Sequence, residues 1–121
     1  MENKYDETQL LKGVLEGCVL VIIQREKTYG YQIIQELKPF GFDAISEGTI
    51  YPLLIRFEKK GIVSSHFEKS PFGPKRKYYS ITKKGKVYLK EFIENWKSLS
   101  RKVECLLKGE NNEYCEIKKR K

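Results

Sequence analysis

Three observations predict an α+β fold, mainly α: a winged helix-turn-helix with a long C-terminal helix. A short helix at residues 46–60 is followed by two strand-like segments around a Pro/Gly turn. The surplus positive charge falls on this same stretch. A heptad of large apolar side chains then runs from Leu89 to Leu106.

At 121 residues the chain is one domain by length. Apolar residues make up 40%, an ordinary globular level that argues against wholesale disorder. The core is modest, so a partner copy would bury useful additional surface. The net charge of +8 invites a polyanion, and its distribution is more informative than its total. Residues 59–90 hold ten Lys/Arg and one acid, Glu68, whereas the other 89 residues hold fourteen bases and fifteen acids. A binding surface is therefore expected in one segment.

The polar start Met1–Gln9 does not read as a secretory signal, and no apolar run approaches the roughly 20 residues of a membrane span. Three cysteines form no CxxC pair, and their odd count argues against a disulfide framework. A reducing cytoplasmic location is expected, with Cys18 in the core and Cys105 an ordinary free thiol, near the dimer axis if it has any redox role.

The elements follow in order. Leu10, Leu11, Val14, Leu15 and Cys18 repeat at helical spacing, and Val19–Ile23 is apolar all round, so a buried first helix spans 10–23. Thr28 is a candidate N-cap for a second helix, Tyr29–Lys38, with Ile33, Ile34 and Leu37 inward, ended by Pro39 and Gly41. Ser46 is the next N-cap candidate. The third helix runs to about Lys60, stops at Gly61 and buries Ile50, Leu54 and Phe57. Pro52 conflicts with that helix unless it starts near Thr49 or has an irregular first turn. Ile62–Lys69 and Lys77–Ile81 have strand composition, and Ser70-Pro71-Phe72-Gly73-Pro74 is a stiff turn. Thr82 caps the last helix. There Leu89, Phe92, Trp96, Leu99, Val103 and Leu106 are spaced alternately by three and four, an a/d seam for dimerisation with a second copy. The expected division is a flexible N-terminus (1–9), a DNA-binding region (10–82), a dimerisation helix (83–108) and a flexible tail (109–121).

Catalysis has little to work with. His66 is the sole histidine, a lone strand residue without a triad-like partner. One His and three scattered Cys offer no metal set, and the glycines form no phosphate-binding loop, so neither enzyme activity nor a cofactor is expected. Nucleic-acid binding has three supports: helix three occupies the recognition position, its first turns carry Ser46, Glu47, Thr49 and Tyr51, and Lys75-Arg76-Lys77 follows the turn where a wing meets the backbone. Each has a plainer reading. Lys75–Lys77 could be a solvated charge run, Tyr51 a packing residue, Arg56 the partner of a nearby acid such as Glu36, and Trp96 dimer packing. One of Tyr78 and Tyr79 is expected in the core and the other exposed.

These residues also resemble a known family. Tyr29-Gly30-Tyr31-Gln32-Ile33, Gly48-Thr49-Ile50-Tyr51-Pro52-Leu53-Leu54, Arg56-Phe57-Glu58-Lys59-Lys60-Gly61-Ile62-Val63 and Arg76-Lys77-Tyr78-Tyr79-Ser80-Ile81-Thr82-Lys83-Lys84-Gly85 are similar to the signature of PadR-type bacterial transcriptional regulators, over roughly residues 10–107. Phe57 and Ile62 stand where leucine is common, and the PFGP turn is short. The resemblance implies a homodimer that binds operator DNA, usually as a repressor. It also implies, for some small members, an aromatic effector held at the dimer interface by a tryptophan, here Trp96. The DNA-facing set is then Thr28, Tyr29, Tyr31, Ser46, Thr49, Tyr51, Pro52, Arg56, Lys75, Arg76 and Lys77. The alternatives are a ligand-sensing or protein-interaction module without operator binding, and a winged helix for double-stranded RNA or Z-form duplex.

Overall fold

The computed structural model describes residues 10–109. The expectations of a flexible N-terminus and of the tail past 109 lie outside those residues. The described chain divides after Leu89 into two units.

In the first unit, α1 spans Leu15–Arg25, α2 Gly30–Leu37 and α3 Glu47–Lys59, followed by strands β1, Val63–Ser70, and β2, Gly73–Ile81. The last helix, α4, runs Lys83–Lys108. Regular α1 begins later than the apolar repeat predicts. Leu10 and Leu11 are helical, but residues 12–14 form a turn around Gly13, whose backbone freedom disfavours a continuous helix. Further on, Val19, Leu20, Ile22 and Ile23 are buried as the all-round apolar stretch predicts. Cys18 is only half-buried, which corrects its placement in the core, and that burial raises its thiol pKa.

The core of this unit joins α1 to Ile33 and Leu37 of α2, to Ile50, Leu54 and Phe57 of α3, and to Ile62, Val63, Tyr79 and Leu89. Side chains buried this completely each contribute about 1.5–3 kcal/mol relative to exposure. Ser46 is the N-cap residue of α3, but its side chain makes no capping bond. Instead the N–H groups of Thr49 and Ile50 both donate to Ser46 O, at 3.0 and 3.1 Å. Pro52 lies inside the helix. The carbonyl it leaves without a donor belongs to exposed Gly48, where solvent can reach it.

The strands pair antiparallel from Val63↔Ile81 to Glu68↔Arg76, then shift to Ser70↔Gly73 around the Pro71-Phe72 turn. β2 therefore begins four residues before the expected Lys77. A bulge extends the pairing by accommodating Pro74, which has no N–H for a regular ladder. Tyr79 is in the core and Tyr78 half-buried.

A compact knot holds β2 to the start of α4. Thr82 N donates to Ile62 O at 3.1 Å. The Thr82 hydroxyl accepts from Gly85 N at 3.0 Å, a genuine helix cap, and faces Gly61 O at 2.7 Å and Ile62 O at 2.9 Å. Gly85 allows this close approach, because a Cβ there would collide with Ile62 O and lie 2.7 Å from Ile81 Cγ1.

In the second unit, residues 90–109, the helix leaves Trp96, Leu99, Val103 and Leu106 exposed along one seam, with Trp96 45% accessible and Leu106 75%. Phe92 is half-buried. Cys105 is disulfide-bonded, which corrects the expectation of a free thiol. An odd cysteine count excludes complete pairing and still allows one bridge.

Gly85→Ala is expected to lower folding stability by about 1–3 kcal/mol through overpacking. Gly13→Ala, where an added Cβ meets nothing within 4 Å, should not be destabilising. Urea denaturation of the two variants checks this.

Candidate nucleic-acid interface

The helix-turn-helix is built from α2, a 3-10 turn at Lys38–Phe40 and α3. The chain reverses at Gly41, whose φ of 96° is left-handed and suits glycine. α2 and α3 meet through a specific close contact. The Tyr51 ring rests on Gly30: a Cβ at Gly30 would be 2.9 Å from Tyr51 Cζ and closer still to Cε1. The phenol is thus seated on the body while 40% of the residue stays accessible. Burial, reinforced by Glu47 and Tyr79, raises its pKa, so the hydroxyl remains a donor at neutral pH.

Thr28 lies elsewhere than predicted. It is 4% exposed, and the N-cap of α2 is Tyr29. Its backbone is in extended pairing with β2, with Thr28 N donating to Tyr79 O at 3.1 Å and Tyr79 N to Thr28 O at 2.7 Å. That pairing takes it out of the capping position. Its buried Oγ1 has no hydrogen-bond partner among the described residues.

Beside this bridge sits a cluster of rings and charges. Tyr29 meets Tyr78 edge to face at 5.2 Å, and the Arg76 guanidinium lies 4.5 Å over the Tyr29 ring while Nη1 donates to its hydroxyl at 3.1 Å. Lys27 pairs with Glu68, as does His66 Nε2 at 2.6 Å. Lys77 pairs with Glu58 at 3.2 Å, and that partner raises the lysine's pKa. Of the three consecutive cations, Lys75 alone has no such partner among the described residues. A polar cavity of about 330 Å³ opens at this shoulder, between Arg25, Lys27, Tyr29, Gln32 and Tyr78.

Arg56 is paired with an acid, but not with Glu36. Nη2 donates to Glu16 Oε2 on α1 at 2.7 Å, and the Tyr88 hydroxyl donates to Glu16 Oε1 at 2.8 Å. Burial opposes the charge on Glu16, but Arg56 and Tyr88 outweigh it and lower its pKa. The guanidinium is thereby held at the back of α3. On the open side remain Ser46, Thr49, Tyr51, Pro52 and, from α2, Tyr31, all exposed. Sequence reasoning missed Gly30 as a seat, Lys27 and Tyr78 as wing clamps, and Ile55, which is 50% exposed on α3. The Tyr-Gly-Tyr motif carried the first signal. The clamps had none, since they join residues about 40 or more positions apart.

A helix-turn-helix followed by a two-stranded wing defines a winged helix-turn-helix protein. A family model, the transcriptional regulator PadR-like family, matches residues 19–91. The chain belongs to this family of transcriptional regulators, which are not enzymes. It is 50% identical to a PadR-like transcriptional regulator from Bacillus cereus, with a TM-score of 0.75 over 84% of this chain and 99% of that one. A Streptococcus transcriptional regulator is 49% identical, with a TM-score of 0.72 over 81% and 96% of the two chains. The fold is shared with Bacillus subtilis PadR, solved in complex with operator DNA, at 23% identity and a TM-score of 0.60 over 66% of this chain and 46% of that one. Among the described residues, no helix is long and apolar enough to cross a membrane, and no three His, Cys, Asp or Glu come together to hold a metal.

The Glu16 pair predicts a pH signature. Its carboxyl pKa is lowered on folding, so the stabilisation is present above the ordinary value of 4.5 and is lost as pH falls through the folded value. Glu16→Gln should lower stability at pH 7 and narrow its gap from the wild type on acidification, read by thermal melts between pH 7 and 3.

Proposed function

We propose that the chain is a dimeric, sequence-specific DNA-binding regulator that acts as a repressor at an operator. The observation that carries this reading is the shared surface of α3 and the wing. Exposed Ser46, Thr49, Tyr51 and Pro52 adjoin the N-terminus of α3, and Lys75 and Arg76 are exposed on the wing. The N–H groups of Glu47 and Gly48 precede the first intrahelical bond of α3 and suit a phosphate contact. Short polar groups and a phenol can reach base edges, whereas the wing cations contribute counterion release without sequence information. Tyr29 and Tyr31, at the start of α2, extend the surface toward the backbone. Thr28 and Arg56 belong to it as positioning residues, one fixing the wing and the other the back of α3. The fold-mate solved with operator DNA supports the reading at the level of fold alone.

The proposed dimer uses the seam Phe92, Trp96, Leu99, Val103 and Leu106; Leu89, which heads the repeat and was expected to share it, is 1% exposed and is taken up by the core of the first unit. Two-fold symmetry then presents two recognition helices to half-sites about 10 bp apart. Trp96, 45% exposed on that seam, is the candidate platform for a flat aromatic effector that relieves repression.

Tyr51→Ala should weaken binding to an operator more than to unrelated duplex. Equal loss on both removes its base-reading role. Lys75→Ala should reduce the slope of log affinity against log salt by about 0.9 per lost phosphate contact, and an unchanged slope excludes Lys75 from the contact. Leu99→Glu with Val103→Glu should convert the dimer to a monomer in light scattering and lower operator affinity at least tenfold. A dimer that survives both changes rules out the seam.

A further inference from the structure

The open side of α3 carries a stripe at four-residue spacing: Glu47, Tyr51, Ile55 and Lys59, all exposed. Its opposite side is the buried set Ile50, Leu53, Leu54 and Phe57. Ile55 is the purely aliphatic member of the stripe and is 50% accessible. A single exposed isoleucine on an arbitrary surface needs no explanation. This one lies between a tyrosine seated on α2 and a lysine, one turn beyond Tyr51 and next to the face assigned to the groove. Arg56, its sequence neighbour, is drawn to Glu16 at 2.7 Å and leaves that face. The β-branched side chain is stiff in a helix, so it presents a fixed apolar surface with no polar atom.

We infer that Ile55 is a specificity-determining residue that selects a thymine in the major groove by packing on its 5-methyl group. This rests on the DNA-binding reading above and deepens it by naming a base. The floor of the major groove presents hydrogen-bond donors and acceptors at every base pair, and the thymine methyl is its apolar feature. Against adenine N6 or cytosine N4, Ile55 would strip water from a donor and return no acceptor. Against the methyl it removes apolar surface from water on both partners. One buried group of this size is worth about a fourfold change in affinity.

The probe is the duplex that the full-length protein enriches from a random-sequence DNA pool. Each thymine of that duplex is replaced in turn by deoxyuridine, which deletes the methyl and leaves the Watson–Crick pairing groups unchanged. Affinities are measured for the wild type and for Ile55→Ala, with a thermal melt to confirm that the exposed substitution leaves the fold intact. The expected result is one thymine per half-site whose replacement weakens the wild type about fourfold and leaves Ile55→Ala unaffected. Ile55→Val should retain most of the discrimination. The inference is overturned if no replacement affects the wild type, or if Ile55→Ala responds to every replacement as the wild type does. It is also overturned if the variant loses affinity equally for thymine and uracil duplexes, which would mark contact with the sugar-phosphate backbone. Failure of the wild type to enrich any duplex would overturn the DNA-binding reading itself, an outcome distinct from the others.

Discussion

The pair of backbone hydrogen bonds between Thr28 and Tyr79 is the constraint on which the surface depends. A two-stranded hairpin is marginal by itself. Here the segment before α2 pairs with β2 and makes the wing part of the helix-turn-helix body. Strand alternation does the rest. With Tyr79 buried in the core, its neighbour Tyr78 must face the other way, where it meets Tyr29 edge to face. One bridge thus fixes the strand's depth and the rotation of its side chains. The Thr82 knot fixes its far end, where Ile62 O serves both the Thr82 backbone and the hydroxyl.

Charge in this region has two roles that the sequence total merges. Lys27, Arg76 and Lys77 touch Glu68, Tyr29 and Glu58 respectively, and each contact draws the wing toward the body. Exposed pairs of this kind add little stability singly. Their effect is geometric, since they restrict where long side chains point before a polyanion arrives. The count of ten bases in residues 59–90 therefore exceeds the number of cations free to meet phosphates.

The elements were largely legible because their signals are local. The apolar repeat of Ile50, Leu54 and Phe57 gave the inner face of α3, and Gly61, with φ of 76°, stands at the predicted stop. Thr82 could be read as a cap from its position before a helical repeat. Long-range and register-dependent features were not legible. Thr28 has the composition of an N-cap, but tertiary pairing with a residue 51 positions away overrides that propensity. Strand β2 started early because a bulge absorbs Pro74, and strand composition does not encode a bulge. Arg56 can meet either an acid or DNA, and no local signal selects Glu16, 40 positions away, over Glu36.

The placement of Arg56 bears on how the recognition face acquires its chemistry. Tyr51, Ile55 and Lys59 follow one another at single turns, and Arg56 is one residue round from Ile55. A free guanidinium there would reach the groove first, since it is longer than isoleucine and attracted to guanine and phosphate alike. The Glu16 carboxylate, oriented by the Tyr88 hydroxyl at 2.8 Å, holds it on the far side. The same contact braces α3 against α1, while Gly30 braces it from the other side by admitting the Tyr51 ring. The helix is therefore fixed from both flanks, while the Arg56 and Tyr51 side chains that brace it remain partly accessible. What remains at the centre of its open side, the Tyr51 phenol and the stiff, apolar Ile55, is suited to reading base edges at close range.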